Sequence, residues 1–186
     1  MPRWTHICLA LLLLPIFLIP MVFIALGVKI TSPGPAIHWS TRIGRNNTLF
    51  QMPKFRTMRT DAPDVATHLL TDSAQYVTPL GGFLRKTSLD ELPQLWSIIK
   101  GDMVFVGPRP ALHNQDDLAR LRTQAGVHLL YPGITGWAQI NGRDELSIPD
   151  KVALECYYLK HRSISLDIQI LARTVLTLFT RKDISH

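Results

Sequence analysis

Asp90 and Glu91 form an adjacent carboxylate pair, a few residues after the cations Arg85 and Lys86 and just ahead of an apolar run with helical character. An ionised carboxylate can serve as a nucleophile or as a Mg2+ ligand. The surroundings are basic. Residues 1–60 contain no Asp or Glu, but they carry Arg3, Lys29, Arg42, Arg45, Lys54, Arg56 and Arg59. One acidic pair on a cation-rich surface suits a phosphorylated substrate, attacked by the carboxylate or held to it through a metal. A structural role also fits, because Ser88 followed by Glu91 has the spacing of a capping box. That box would put Pro93 in the helix interior, where its missing N–H costs a hydrogen bond. A helix starting at Asp90 puts Pro93 in the first turn and Asp90 at the positive end of the helix.

Two cation motifs accompany the pair. Lys54-Phe55-Arg56-Thr57-Met58-Arg59 alternates charge with apolar bulk, as on a strand with one wet face. It reads either as a solvated edge strand or as a phosphate clamp, since arginine binds two phosphate oxygens at once. Arg109 stands between Pro108 and Pro110. The prolines either pre-orient its guanidinium fork or simply shape a loop. Asp167 reads as an acid in the first turn of a helix. Cys8 and Cys156 are too few for a disulfide framework or a zinc site, and the histidines lack metal-ligand spacing. No phosphate-binding loop and no dinucleotide fingerprint is present.

The elements that must position these groups follow from the pattern. At 186 residues the chain is expected to form one main domain, and its net charge of +6 favours an anionic partner. Ile7–Val28 is almost wholly apolar, and the 25 residues from Trp4 to Val28 would extend ~37 Å as a straight helix, enough for a bilayer core. Cations flank both ends of this run, which places both ends on the cytoplasmic side. Pro15 and Pro20 are expected to break the helix, so it would enter and leave the membrane on one face. An ordinary kinked span is the alternative. Thr31-Ser32-Pro33-Gly34-Pro35 ends the segment. Ala36–Thr41 and Thr48–Phe55 are predicted strands of a hairpin, with a turn at Gly44–Asn47. Residues 61–79 read as a polar surface excursion. Helices are predicted over Leu89–Lys100, stopped by Gly101, and over Leu112–Leu130, Pro149–Lys160 and Ser165–Phe179. Met103–Val106 is a short apolar run, and Tyr131–Trp137 is a loop rich in breakers.

Taken together the motifs resemble the bacterial sugar transferase family, the monotopic phosphoglycosyl transferases that start surface-glycan assembly. Ser32-Pro33-Gly34-Pro35, Lys54-Phe55-Arg56-Thr57-Met58, Thr87 to Leu95, Lys100-Gly101-Asp102-Met103, Gly107-Pro108-Arg109-Pro110, Pro132-Gly133-Ile134-Thr135-Gly136 and Gln139-Ile140-Asn141-Gly142-Arg143 stand in the family's order. Each is weak alone; the ordered set is specific. The length resembles the family's minimal catalytic core. Departures from its pattern are Pro53, Trp39-Ser40, and the absence of a Ser before Pro15 or Pro20.

The resemblance implies an α+β, membrane-embedded monotopic enzyme of the bacterial inner membrane. Residues 1–30 would form the re-entrant helix and residues 31–186 a cytoplasmic catalytic domain with a small hairpin and several amphipathic helices. Asp90 would be the nucleophile. Glu91 would support a Mg2+-bound site, with both carboxylates near the metal. Arg109, Arg85, Lys54 and Arg56 would bind phosphate. The donor would be a nucleotide sugar, expected to be uridine-linked, and the acceptor polyprenyl phosphate. A rival reading is a membrane-anchored basic module for nucleic acid or anionic lipid. Nucleic acid is not expected, because aromatics are only 8% of the chain and stacking positions are scarce.

Overall fold

The computed structural model describes residues 1–63, 73–142 and 146–180. The apolar run forms one helix, α1 (Arg3–Thr31), which passes through Pro15 and Pro20 without interruption. The expected break is therefore absent. Each proline removes one backbone hydrogen bond, to the carbonyl of Leu11 or Ile16. Both prolines and both of those residues lie on the exposed, outward side of the helix. A proline ring crowds the turn before it, so the axis bends away from the proline side. With both prolines on the outer side, that direction is toward the rest of the protein.

Helical spacing sets the buried stripe of α1. Leu9, Ala10, Leu13 and Phe17 pack into a core with Leu95, Ile98, Met103 and Phe105. Further along, Met21, Ile24, Ala25 and Val28 pack with Phe55 and Leu84. Both ends are tied down. Arg3 donates to the Gly101 carbonyl at 3.2 Å, and the Met1 amino group pairs with Asp167. At the other end Arg56 donates to the Ser32 carbonyl at 2.9 Å. Both ends of the apolar helix thus meet the same body of protein, and its opposite face leaves Leu12, Ile16, Ile19 and Phe23 exposed.

The hairpin forms as predicted. Strands β1 (Ile37–Ile43) and β2 (Leu49–Phe55) pair antiparallel, Ile37 opposite Phe55 and Ile43 opposite Leu49. Two short helices follow, α2 (Gly81–Thr87) and α3 (Gln94–Lys100), joined by a 3-10 turn at Leu89–Glu91. The single helix expected over Leu89–Lys100 is thus split. Its predicted stop holds: Gly101 caps α3 at φ +91°, a conformation glycine adopts without strain. Strand β3 (Val104–Val106) leads through the Pro108–Pro110 loop into β4 (Ala111–Leu112), which pairs with β1 and gives the sheet order β2-β1-β4.

The long amphipathic helix expected over Leu112–Leu130 is shorter. It spans α4 (Asp116–Gln124), and the chain then turns through Gly126 at φ +77°. The breaker-rich loop contains a strand, β5 (Gly133–Thr135), parallel to β3. Helices α5 (Trp137–Ile140), α6 (Ile148–His161) and α7 (Ile164–Thr180) complete the fold. The last two match their predicted spans within two residues at each end, and Ser147 caps α6 by accepting from the Asp150 N–H. Asp167 lies in the first turn of α7, as read, but it is buried and accepts a hydrogen bond from Tyr158 Oη at 2.7 Å. Much of the polar excursion over 61–79, and Arg143 at the end of the last motif, lie outside the described residues.

Candidate active site

The carboxylate pair sits on the 3-10 turn between α2 and α3. Ser88 ends α2 with φ +58°, a left-handed conformation that costs a non-glycine residue about 1 kcal/mol. Its side chain makes no capping hydrogen bond to the turn, so the capping-box alternative is not realised. The Glu91 N–H donates to the Ser88 carbonyl at 3.2 Å. Leu89 and Leu92, on either side of the pair, pack against the cluster of Val28, Phe55 and Leu84. Two apolar anchors therefore hold the acidic residues in place between them. Pro93 caps α3 and loses nothing there.

The neighbours treat the two acids differently. Glu91 Oε1 accepts from Lys54 Nζ at 3.1 Å and from an Arg109 terminal nitrogen at 2.7 Å. Burial alone would raise the Glu91 carboxyl, but the charges and hydrogen bonds of Arg109 and Lys54 outweigh it and hold the group well below the usual carboxylate range. Asp90 is only 7% exposed. No hydrogen bond or ion pair engages its carboxylate among the described residues, although Lys54, Arg109 and Arg85 all act on it through space. Burial pushes its pKa up, Lys54 opposes that rise, and the Glu91 charge adds to it. Burial also lowers Lys54 and Arg85. The result is one carboxylate locked as a counter-ion and one left uncommitted beside three cations.

The arginine loop is built against the breaker-rich loop. The Gly107 N–H donates to the Thr135 carbonyl at 2.8 Å, and the Gly133 N–H donates to the Pro108 carbonyl at 2.9 Å. The backbones meet so closely that a Cβ on Gly133 would lie 2.2 Å from the Gly107 nitrogen. The two glycine-proline motifs, far apart in the chain, are thus one structural unit that carries Arg109 to Glu91.

Of the expected phosphate binders, Lys54, Arg85 and Arg109 gather at the pair. Arg85 is steadied by Thr57, its Nε donating to Thr57 Oγ1 at 3.0 Å. Arg56 does not join them. It is buried, and it donates to the carbonyls of Pro35 at 2.7 Å and Ser32 at 2.9 Å, fastening the end of α1. The wet face expected of this strand is also missing, because Lys54 is turned inward to Glu91. Sequence reasoning passed over Arg42, which donates to the Pro110 carbonyl at 3.2 Å, and the buried pair Arg122–Glu155. A signal existed for the second: Arg122 falls among Leu118, Leu121 and Ala125, on the apolar stripe of its helix.

Among the described residues, no three or more His, Cys, Asp or Glu side chains converge. A closed cage for a divalent cation is therefore missing there. The Asp90–Glu91 pair, with one carboxylate uncommitted, suits an ion such as Mg2+ that takes one or two carboxylates and fills its shell with substrate phosphates and water.

Comparison with known proteins places this geometry in a family. The family model described as bacterial sugar transferase matches residues 1–181. A UDP-glucose:undecaprenyl-phosphate glucose-1-phosphate transferase of Escherichia coli K12 is 39% identical, over 97% of this chain and 40% of its own length. An undecaprenyl-phosphate galactose phosphotransferase of Salmonella typhimurium is 36% identical, over 86% of this chain and 37% of its own. An uncharacterized sugar transferase of Bacillus subtilis, EpsL, is 41% identical, over 83% of this chain and 75% of its own. The chain thus spans well under half the length of the first two relatives.

Proposed function

This chain belongs to the bacterial sugar transferase family, and from that premise we propose that it moves a sugar phosphate from a UDP-sugar to undecaprenyl phosphate through a covalent Asp90 intermediate. The observation that carries the reading is the division of labour in the acidic pair. Glu91 absorbs the Lys54 and Arg109 charges, and the neighbouring Asp90 carboxylate stays uncommitted. In the first step an Asp90 Oδ attacks the phosphorus that bears the sugar. An Asp–O–P bond forms, the phosphoanhydride bond breaks, and its electron pair leaves on UMP. In the second step an oxygen of undecaprenyl phosphate attacks the same phosphorus. The new phosphoanhydride forms as the Asp–O–P bond breaks, and the carboxylate is regenerated. Splitting the transfer lets two anionic substrates use one site in turn. Lys54, Arg85 and Arg109 face the charge brought in, and Arg109 presents a fork to phosphate oxygens. Mg2+, held by Asp90 and Glu91 together with the donor phosphates, would supply further charge neutralisation.

The membrane reading is part of this proposal. A helix crossing the bilayer would carry one of its ends away from its domain, whereas both ends of α1 are tied to the same body of protein. α1 therefore lies along the domain with its apolar outer face in one leaflet, the cytoplasmic one by the flanking cations. The matched family and relatives are transferases, and none of them supports a nucleic-acid or lipid-binding module. Their names differ in the sugar, so a panel of UDP-sugars is the direct test. With Mg2+ and undecaprenyl phosphate, one donor should yield UMP and a lipid-linked product. No product from any nucleotide sugar would defeat the assignment. Without acceptor, the enzyme should gain the mass of one phosphosugar. Turnover without that adduct, and without ping-pong kinetics, would demote Asp90 to a metal ligand or base.

A further inference from the structure

The Arg109 side chain is 44% exposed, yet its backbone is held with unusual completeness. All four carbonyls from Gly107 to Pro110 accept hydrogen bonds: from Gln139 Nε2 at 3.4 Å, the Gly133 N–H at 2.9 Å, Arg122 at 2.9 Å and Arg42 at 3.2 Å. The bond to the Arg109 carbonyl itself comes from a buried charge. Arg122, on α4, donates from Nε to Glu155 Oε2 at 2.8 Å, and a terminal nitrogen donates to Oε1 at 2.5 Å. That same terminal nitrogen reaches the Arg109 carbonyl. The side chains of Arg122 and Glu155 are only 9% and 3% exposed.

Stability alone does not account for a pair this deep. Replacing a buried ion pair by apolar groups of similar volume is often neutral or stabilising, because both ions escape the desolvation cost. What an apolar pair cannot do is donate to the Arg109 carbonyl. We infer that Arg122, fixed by Glu155, is a positioning residue that sets the backbone at Arg109 and so aims its guanidinium at Glu91 and the donor phosphate. The fork of Arg122 is needed for this, since a bidentate grip on Glu155 leaves one hydrogen to point at the loop. The inference rests on the reading of Arg109 as a donor-phosphate ligand.

The test is the double variant Arg122→Met/Glu155→Met of the full chain in detergent or nanodiscs, compared with Arg122→Lys, with Arg109→Lys, and with both positioning variants in the Arg109→Lys background. The double variant should fold, with thermal unfolding close to wild type. Its kcat/KM for the UDP-sugar should fall roughly ten- to a hundredfold, as ångström-scale misplacement of a reacting group produces. Arg122→Lys keeps the buried charge and covers the case in which the double variant does not fold; its kcat/KM should fall as well. In the Arg109→Lys background either change should cost less than about threefold, because the group being aimed is already impaired. Full kcat/KM in the positioning variants would overturn the inference. So would the same drop repeated in the Arg109→Lys background, which is the mark of general damage. If Arg109→Lys alone is fully active, the reading of Arg109 itself has failed.

Discussion

Glu91→Gln separates the two roles assigned to the acidic pair. The substitution keeps the shape and an acceptor oxygen but removes the charge shared by Lys54 at 3.1 Å and Arg109 at 2.7 Å. A hydrogen bond to a charged group contributes about 1.5–3 kcal/mol, and a neutral one about 1. Lys54 stays cationic, so the largely shielded contact loses its ion-pair part, which should cost about 1–2 kcal/mol. The Arg109 contact is half open to water and adds at most about 1 kcal/mol. A total near 2 kcal/mol lowers the unfolding midpoint by roughly 4–8 °C for a chain of this size. The pH profile should move in the opposite sense from the stability. As the proposed nucleophile, Asp90 must be ionised to attack, so its pKa sets the acid limb of kcat/KM. Burial raises that pKa first, and the Glu91 charge raises it further. Removing the charge therefore shifts the acid limb to lower pH, even as the plateau rate falls with the loss of Arg109's anchor. Lys54→Met should shift the limb to higher pH, because Lys54 opposes the rise. UMP release measured across pH reads both effects. Limbs that move the same way, or not at all, would refute the electrostatic account.

Asp90→Asn should abolish the covalent adduct and reduce turnover by several orders of magnitude without loss of stability. The sign follows from its raised pKa: ionised Asp90 favours folding less than its protonated form, a stabilisation present at low pH and lost as pH rises through the folded pKa, so the neutral amide should unfold no earlier than wild type at pH 7. Gly107→Ala should cost well over about 2 kcal/mol and leave little folded protein in a denaturant titration, because its Cβ would stand 2.4 Å from the Tyr131 carbonyl oxygen. Single cysteines near residue 2 or residue 33, in a Cys8→Ala/Cys156→Ala background, should both resist an impermeant external reagent in intact cells; labelling of the first would rule out the one-sided placement of α1.

The fold was readable where local pattern and tertiary role agree. The hairpin was marked by two short runs either side of the turn-forming Gly44-Arg45-Asn46-Asn47, and α7 by apolar residues at helical spacing. The reading failed where distant contacts decide. Gly133-Ile134-Thr135 has the composition of a loop, yet it is a strand because β3 lies beside it and glycine alone permits the approach. Pro15 and Pro20 looked like breaks because the rule counts a lost hydrogen bond; the helix runs through both, and they stand on its exposed side. Asp90, Glu91 and Arg109 were legible as candidates from their unusual neighbours. Arg56 was misplaced, because strict alternation takes no account of the carbonyls of Ser32 and Pro35 that close over it. Arg122 and Glu155 went unnoticed because a charge on a helix normally belongs to its wet face, even though Arg122 falls on an apolar stripe; the partner helix shows why it sits there.

The position of the Leu89–Glu91 turn also bears on how, in the proposed mechanism, a soluble donor and a lipid acceptor could share one carboxylate. Leu89 and Leu92, the residues on either side of Asp90-Glu91, pack in the same cluster as Met21, Ile24, Ala25 and Val28 of α1. The turn is therefore fastened directly to the C-terminal half of the apolar helix, with no intervening layer of protein. On the proposed placement of α1 in one leaflet, this packing ties the position of Asp90 to that of the apolar helix. The proposed mechanism then lets a lipid phosphate at the surface reach the carboxylate without leaving its membrane, while the side lined by Lys54, Arg85 and Arg109 would receive the nucleotide. On that arrangement, shortening the contact by Leu92→Ala should impair the second half-reaction more than the first. Adduct formation from the UDP-sugar alone should stay near wild type, while discharge to undecaprenyl phosphate slows. Equal loss in both half-reactions would mean that the leucines only hold the turn together and that the depth of Asp90 is set elsewhere.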